Sequence, residues 1–245
     1  DTTDENTTDA INEDTTDEET IDAINEDTID DIVITPAVSE DTQDEDTTDA
    51  INEDTIAEET SDAIDENTIL MIGSAPCWPF GTHDPIAELS EVAARQNIWF
   101  HVDGCLGGFL NPFTAKLGYD IPPWDFSIPG VWSISADLHK YGYTTKGASV
   151  IMFRNEDLRE FSAFRFNNWP FGSYLTTTMT GSRSGGAVAA AWAVMQYLGE
   201  EGYVKAAHEL MKVRDKLIKT IEEIEELQVY GQPSGAIVAY GSTEL

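Results

Sequence analysis

The sequence predicts an α/β domain on a largely parallel sheet, preceded by an acidic low-complexity segment and followed by the start of a C-terminal α+β subdomain. Three observations carry that expectation. Acidic and basic residues are unevenly distributed, short apolar runs alternate with helical periods from Ile69 onward, and polar residues collect where the apolar runs end.

Residues 1–68 hold 27 of the 46 acidic residues and none of the basic ones, which leaves 19 acids against all 13 bases downstream. The segment has no Gly, His, Cys or aromatic residue. Its charges repel and its apolar surface is too small to offset chain entropy, so it is expected to be mostly disordered on its own. A unit recurs within it. Ala10-Ile11-Asn12-Glu13-Asp14-Thr15 returns from Ala23 and from Ala50, degenerates from Ala37, and from Ala63 leads directly into the apolar residues 69–72. One Ala and one Ile or Val per unit cannot stack a solenoid. An EF-hand loop needs a central Gly that this segment lacks, so no metal site is expected.

A net charge of −33 argues against nonspecific nucleic-acid binding, because phosphates need cations opposite them. Two cysteines, Cys77 and Cys105, suggest reduced thiols rather than a disulfide scaffold. No run approaches the roughly 18 apolar residues of a membrane span, and no basic and apolar leader is visible. The expectation is a cytoplasmic protein without a transmembrane segment.

Taken in order, strands are expected at 69–72, 98–102, 133–135 and 149–153. A helix over 85–96 crosses between the first two, with Asp84 as its N-cap and Pro85 in its first position. Helices at 185–198 and 203–227 follow, broken across 199–202, the second carrying Val204, Leu210, Leu217, Ile221 and Ile224 at helical spacing. Strands at 228–230 and 236–240 open the last subdomain. The chain therefore divides at 1–68, 69–198 and 199–245.

Two stretches hold candidate chemistry. A strand period of two puts His101 and Asp103 on one face, at the C-terminal end where α/β sheets place ligands. Taken alone, Asp103 reads first as a cap for the following turn. The second stretch is Ser133-Ile134-Ser135-Ala136-Asp137-Leu138-His139-Lys140-Tyr141-Gly142-Tyr143, a strand ending in a polar loop with a lysine between a histidine and a tyrosine. An isolated lysine of this kind is ordinarily a solvated surface group.

Five blocks in order change that reading: Gly73-Ser74-Ala75-Pro76, Phe80-Gly81 with Asp84-Pro85, His101 through Phe109, Ser133 through Gly147, and Gly181-Ser182-Arg183-Ser184-Gly185-Gly186. Together they resemble the group II pyridoxal-phosphate (PLP) dependent decarboxylases, and within them look most like the sphingosine-phosphate lyases. The resemblance covers about residues 67–245 and implies a partial fold-type I PLP large domain with PLP as cofactor. It implies that Lys140 holds the cofactor as a Schiff base and that Asp103 pairs with the ring nitrogen, as the chemistry of an amine and a carboxylate suits. A desolvated site beside other positive charge would lower the Lys140 pKa and free its amine to react.

The resemblance further places Ser74, Ser135, Gly181 and Ser182 at the cofactor. His101 and His139 either contact the ring and relay protons or satisfy core hydrogen bonds. Lys146, Arg183 and Tyr143 are candidates for a substrate phosphate, although residues 181–186 also read as a helix start. The implied reaction is retro-aldol carbon–carbon cleavage of a phosphorylated sphingoid base that carries a primary amine, in a homodimer. Amino-acid decarboxylation is the alternative. A catalytically inactive fragment is the reading from another class, since residues 1–68 contain neither the Gly-rich phosphate cradle nor the ring-stacking side chain that the resemblance places there. Two milder departures are Gly104, where relatives commonly have Ala, and Leu138, where the lyases tend to have Thr.

Overall fold

The computed structural model describes residues 60–243 and, upstream, the backbone of strand β1 (Ile32–Ile34). The main sheet has the order β1-β2-β3-β4-β5, with β2 at Leu70–Ser74, β3 at Trp99–Asp103, β4 at Ser133–Ala136 and β5 at Val150–Phe153. The first four strands run parallel and β5 is antiparallel to β4. Helix α1 (Ile86–Gln96) makes the crossover from β2 to β3.

Alternation along β2 and β3 buries one face of the sheet. Met71, Phe100, Val102 and Ile134 pack there with Ile86, Leu89, Val92 and Ala93 of α1. Helix α1 closes on Asn97 in the left-handed conformation (φ 56°), where its backbone N–H meets Ala93 and Ala94 carbonyls. Its start differs from expectation. Pro85 occupies the N-cap position, and the Asp84 carboxylate instead accepts the Ser74 N–H at 2.6 Å, at the end of β2. Burial pushes the Asp84 pKa up to about 6.

The acidic segment is not wholly apart from this domain. Ile32, Val33 and Ile34, within its longest run of β-branched residues, pair with Leu70, Met71 and Ile72. Ile64, in the last copy of the repeat, packs on the core. The expectation of disorder for the other residues before 60 lies outside the described residues.

Past β3, a 3₁₀ turn (Gly107–Phe109) leads into α2 (Asn111–Lys116). After β5 come α3 (Glu156–Glu160) and a hairpin of β6 (Phe164–Trp169) and β7 (Gly172–Thr176). Helix α4 runs over Gly186–Glu222, with Gly199 non-helical (φ 57°, ψ −177°) at the expected break. It stops short of residue 227 because the chain there enters β8 (Leu227–Tyr230), which pairs antiparallel with β9 (Ala239–Ser242). This last piece is tied back through His83. Asn111 Nδ2 donates to His83 Nε2 at 2.9 Å, which leaves the imidazole proton on Nδ1 to face Ser234 Oγ. Among the described residues no helix is long and apolar enough to cross a membrane.

Candidate active site

Strand register assembles the site. Ser74, Asp103 and Ser135 are neighbours across β2, β3 and β4 at their C-terminal ends, and His101 pairs with Ser133 one row back. The period of two turns all of these toward the face opposite α1. Beyond β3 the chain turns at Gly104, where a Cβ would lie 2.9 Å from the Ser135 carbonyl oxygen and 3.1 Å from the Trp124 ring. The Gly found there in place of the usual Ala thus fits a closely approached turn.

A directional hydrogen-bond chain runs along this face. Trp99 Nε1 donates to Ser133 Oγ at 2.8 Å, and Ser133 Oγ lies 2.8 Å from His101 Nδ1. His101 Nε2 is 3.2 Å from Ser135 Oγ, which donates to Asp103 Oδ1 at 3.2 Å. Since Ser135 gives its proton to the carboxylate, it accepts from His101 Nε2–H, so Nδ1 accepts from Ser133. One neutral tautomer satisfies every link. Burial lowers the His101 pKa, opposed by the Asp103 charge, and the chain is consistent with a neutral ring. Asp103 Oδ1 also accepts the Cys105 N–H at 2.9 Å.

Lys140 lies on the turn after β4, where its N–H donates to the Asp137 carbonyl at 3.3 Å. Its Nζ is 3.1 Å from Asp137 Oδ2. The backbone of Cys105 bridges the two acidic residues of this corner, its N–H donating to Asp103 Oδ1 at 2.9 Å and its carbonyl accepting the Asp137 N–H at 3.2 Å. The Lys140 pKa is raised, contrary to the sequence expectation. Burial opposes the charge, but the interactions with Cys105 and Asp137 outweigh it, and the charged neighbour is the Asp137 carboxylate rather than a cation. His139 Nδ1 donates to the Ala148 carbonyl at 3.4 Å, with Nε2 3.6 Å from Asp137 Oδ2.

His101, Asp103, Ser135, His139 and Lys140 therefore share one neighbourhood, and Ser74 borders it through the register. Gly181 and Arg183 line a cavity of about 540 Å³, walled by Val188, Trp192 and Met195, that borders this neighbourhood through Leu138, Ala148 and Ser149. Ser182 and Lys146 are exposed. Tyr143, at φ 58°, stacks on Tyr203 with ring centroids 6.4 Å apart. Sequence reasoning assigned no role to Ser133, Cys105 or Asp137. Ser133 is visible only through cross-strand register, whereas Asp137 stands three residues before Lys140 and could have been read as its ion-pair partner.

The donor set fits the aldehyde and ring ends of PLP. An amine suited to bond the aldehyde carbon and a carboxylate suited to the ring nitrogen lie at the C-terminal ends of adjacent parallel strands, Asp103 ending β3 and Lys140 on the turn after β4.

Fold and site together define a pyridoxal-dependent α/β enzyme domain. The conserved domain of the pyridoxal-dependent decarboxylases matches residues 62–241, and the chain belongs to that family, whose cofactor is pyridoxal 5′-phosphate. It is 49% identical over 176 residues to the sphingosine-1-phosphate lyase of Arabidopsis thaliana, covering 72% of this chain and 32% of that protein. The rat sphingosine-1-phosphate lyase 1 is 44% identical over 71% of this chain and 31% of its own length. The structure of a Burkholderia pseudomallei sphingosine-1-phosphate lyase superposes with a TM-score of 0.73 at 44% identity, covering 76% of this chain and 42% of that one. A Lactobacillus brevis glutamate decarboxylase shares the fold, with a TM-score of 0.65 at 23% identity. The chain spans about a third of the length of the curated relatives it matches.

Proposed function

We propose that the protein is a PLP-dependent carbon–carbon lyase acting on a phosphorylated sphingoid base, which it cleaves to an aldehyde and phosphoethanolamine. The observation that carries this is the placement of Lys140, on the turn after β4, beside Asp103 at the C-terminal end of the adjoining strand β3, in a chain 49% identical to a sphingosine-1-phosphate lyase over the matched residues. When bound, PLP supplies an aldehyde for the substrate amine and a ring that accepts the electrons released as a bond at the amine-bearing carbon breaks.

The chain's own residues do the rest. Lys140 would contribute the amine that holds the cofactor. Asp103, oriented by Ser135 and the Cys105 N–H, keeps a proton on the ring nitrogen. Neutral His101 fixes the Ser135 hydroxyl toward Asp103, and Ser74 and His139 border the cleft. Lys146, Arg183 and Tyr143 are proposed for the substrate phosphate, with Gly181 and Ser182 shaping the anion loop. Support comes from the Arg183 guanidinium bordering an apolar-walled cavity suited to a ligand with a charged head and a hydrocarbon tail.

The same reading takes the chain as three units, 1–68, 69–198 and 199–245, with the Gly199 kink at the last junction. It takes the assembly to be a homodimer, supported by the exposed apolar side chains Phe164, Phe166, Trp169 and Phe171 of the β6–β7 hairpin. A reducing, cytoplasmic setting is supported by the free thiols of Cys77 and Cys105.

The test is direct. Protein loaded with PLP and given a phosphorylated sphingoid base should release a long-chain aldehyde and phosphoethanolamine, measured by mass spectrometry. Carbon dioxide from an amino acid, with the sphingoid base left intact, would make it a decarboxylase. Failure to take up PLP at all would mark an inactive fragment.

A further inference from the structure

The mechanism above uses Lys140 and Asp103 and leaves a second carboxylate unexplained. Asp137 ends the turn-forming stretch of β4 and is held from several directions. Its Oδ1 accepts from Ser149 Oγ at 2.5 Å, its N–H donates to the Cys105 carbonyl at 3.2 Å, and its own carbonyl accepts the Lys140 N–H at 3.3 Å. That turn places the lysine side chain over the carboxylate, and Nζ reaches Oδ2 at 3.1 Å. The two carboxylates of the site are thereby divided. Asp103 is bonded by a hydroxyl and an amide, whereas Asp137 is bonded by the amine itself.

We propose that Asp137 is a positioning residue that holds the Lys140 amine as an ammonium ion at the end of β4 whenever it is not bonded to the cofactor, and so sets the pH at which Lys140 can bond to it. This rests on the reading of Lys140 as the cofactor amine. Condensation of an ammonium ion with an aldehyde forms the carbon–nitrogen bond, expels the carbonyl oxygen as water and releases one proton. The ammonium proton must leave Nζ before the bond forms, and an anion 3.1 Å away resists that loss.

The surroundings agree. Facing Lys140 among the described residues are the Asp137 carboxylate, the Cys105 thiol and the Tyr141 phenol. Facing Asp137 are Lys140, His139 and the Ser149 hydroxyl. Both partners shift as an ion pair should. Burial alone would raise Asp137, yet the Ser149 and Lys140 bonds leave it below the usual carboxylate range, while Lys140 lies above its ordinary value.

The experiment reads the amine without turnover. Cofactor-free protein is labelled with acetic anhydride across pH 6 to 11, and each lysine peptide is quantified by mass spectrometry. Because the pair is partly exposed, Asp137→Asn should lower the midpoint for Lys140 by about one pH unit, raising its labelling at pH 8 about tenfold, with the exposed Lys146 unmoved. Asp137→Glu should stay near wild type. In wild type, 1 M salt should move the Lys140 midpoint toward that of Asp137→Asn, a check that requires no variant to fold.

Borohydride trapping of PLP on Lys140 should follow the same displaced pH profile. A wild-type protein with no pyridoxyl adduct at Lys140 sinks the cofactor reading and this inference with it. An adduct at Lys140 whose pH profile is the same in wild type and Asp137→Asn sinks this inference alone.

Discussion

Asp84→Asn should stabilise the protein at neutral pH. Asp84 is 5% exposed, and its carboxylate meets the Ser74 N–H at 2.6 Å without a cation beside it. Burial outweighs that hydrogen bond and raises the pKa from 3.8 to about 6. The folded state therefore binds the proton more tightly than the unfolded one. This contribution is fully present below about pH 4 and is lost as pH rises through about 6. Two units at about 1.4 kcal/mol each make the cost of the ionised group about 3 kcal/mol at pH 7.

Asparagine keeps an acceptor oxygen for Ser74 and carries no charge. Urea denaturation of wild type and variant at pH 4 and pH 7.5 isolates the effect from the other acids, because only the difference between the two proteins is read. That difference should be near zero at pH 4 and about 2–3 kcal/mol in favour of the variant at pH 7.5. The same difference at both pH values, or a variant that is weaker at pH 7.5, would refute the reasoning.

Ser133→Ala removes the hydroxyl that links Trp99 to His101 at a position 1% exposed, and should cost about 1–3 kcal/mol in the same assay. Phe100→Ala, which empties the largest fully buried side chain of the core, should cost about 3–5 kcal/mol. Asp103→Ala, by removing the charge that favours a protonated ring nitrogen, should lower turnover of the loaded enzyme about a hundredfold or more. Trp169→Asp with Phe171→Asp, two charges in the exposed hairpin, should shift the protein from dimer to monomer in sedimentation velocity; an unchanged dimer would remove the hairpin from the interface.

Much of the fold is legible because periodicity and burial agree. The apolar runs that begin β2 and β3 mark them as strands, the alternation of Phe100 and Val102 with His101 and Asp103 in β3 separates the buried face from the polar one, and Gly199 breaks α4 at the expected place. The hairpin was not legible. Its alternation is interrupted by Asn167, Asn168 and Pro170, and the register shifts between Phe166 and Trp169. For the site, the sequence singled out His101, Asp103 and Lys140 as residues, but their relations are tertiary. Nothing local says that Ser133 lies beside His101 or that the Cys105 backbone bridges Asp103 and Asp137. Asp84 shows the opposite failure. A sound local rule made it a helix cap, and the Ser74 amide at the end of a neighbouring strand competed successfully for its carboxylate.

The most direct measurement is sodium borohydride reduction of the PLP-treated protein followed by peptide mapping. A single pyridoxyl group on Lys140 is expected, absent in Lys140→Ala and weakened in Asp103→Ala. No adduct, or an adduct on Lys146 or another surface lysine with Lys140 untouched, would contradict the assignment of the cofactor to the ends of β3 and β4.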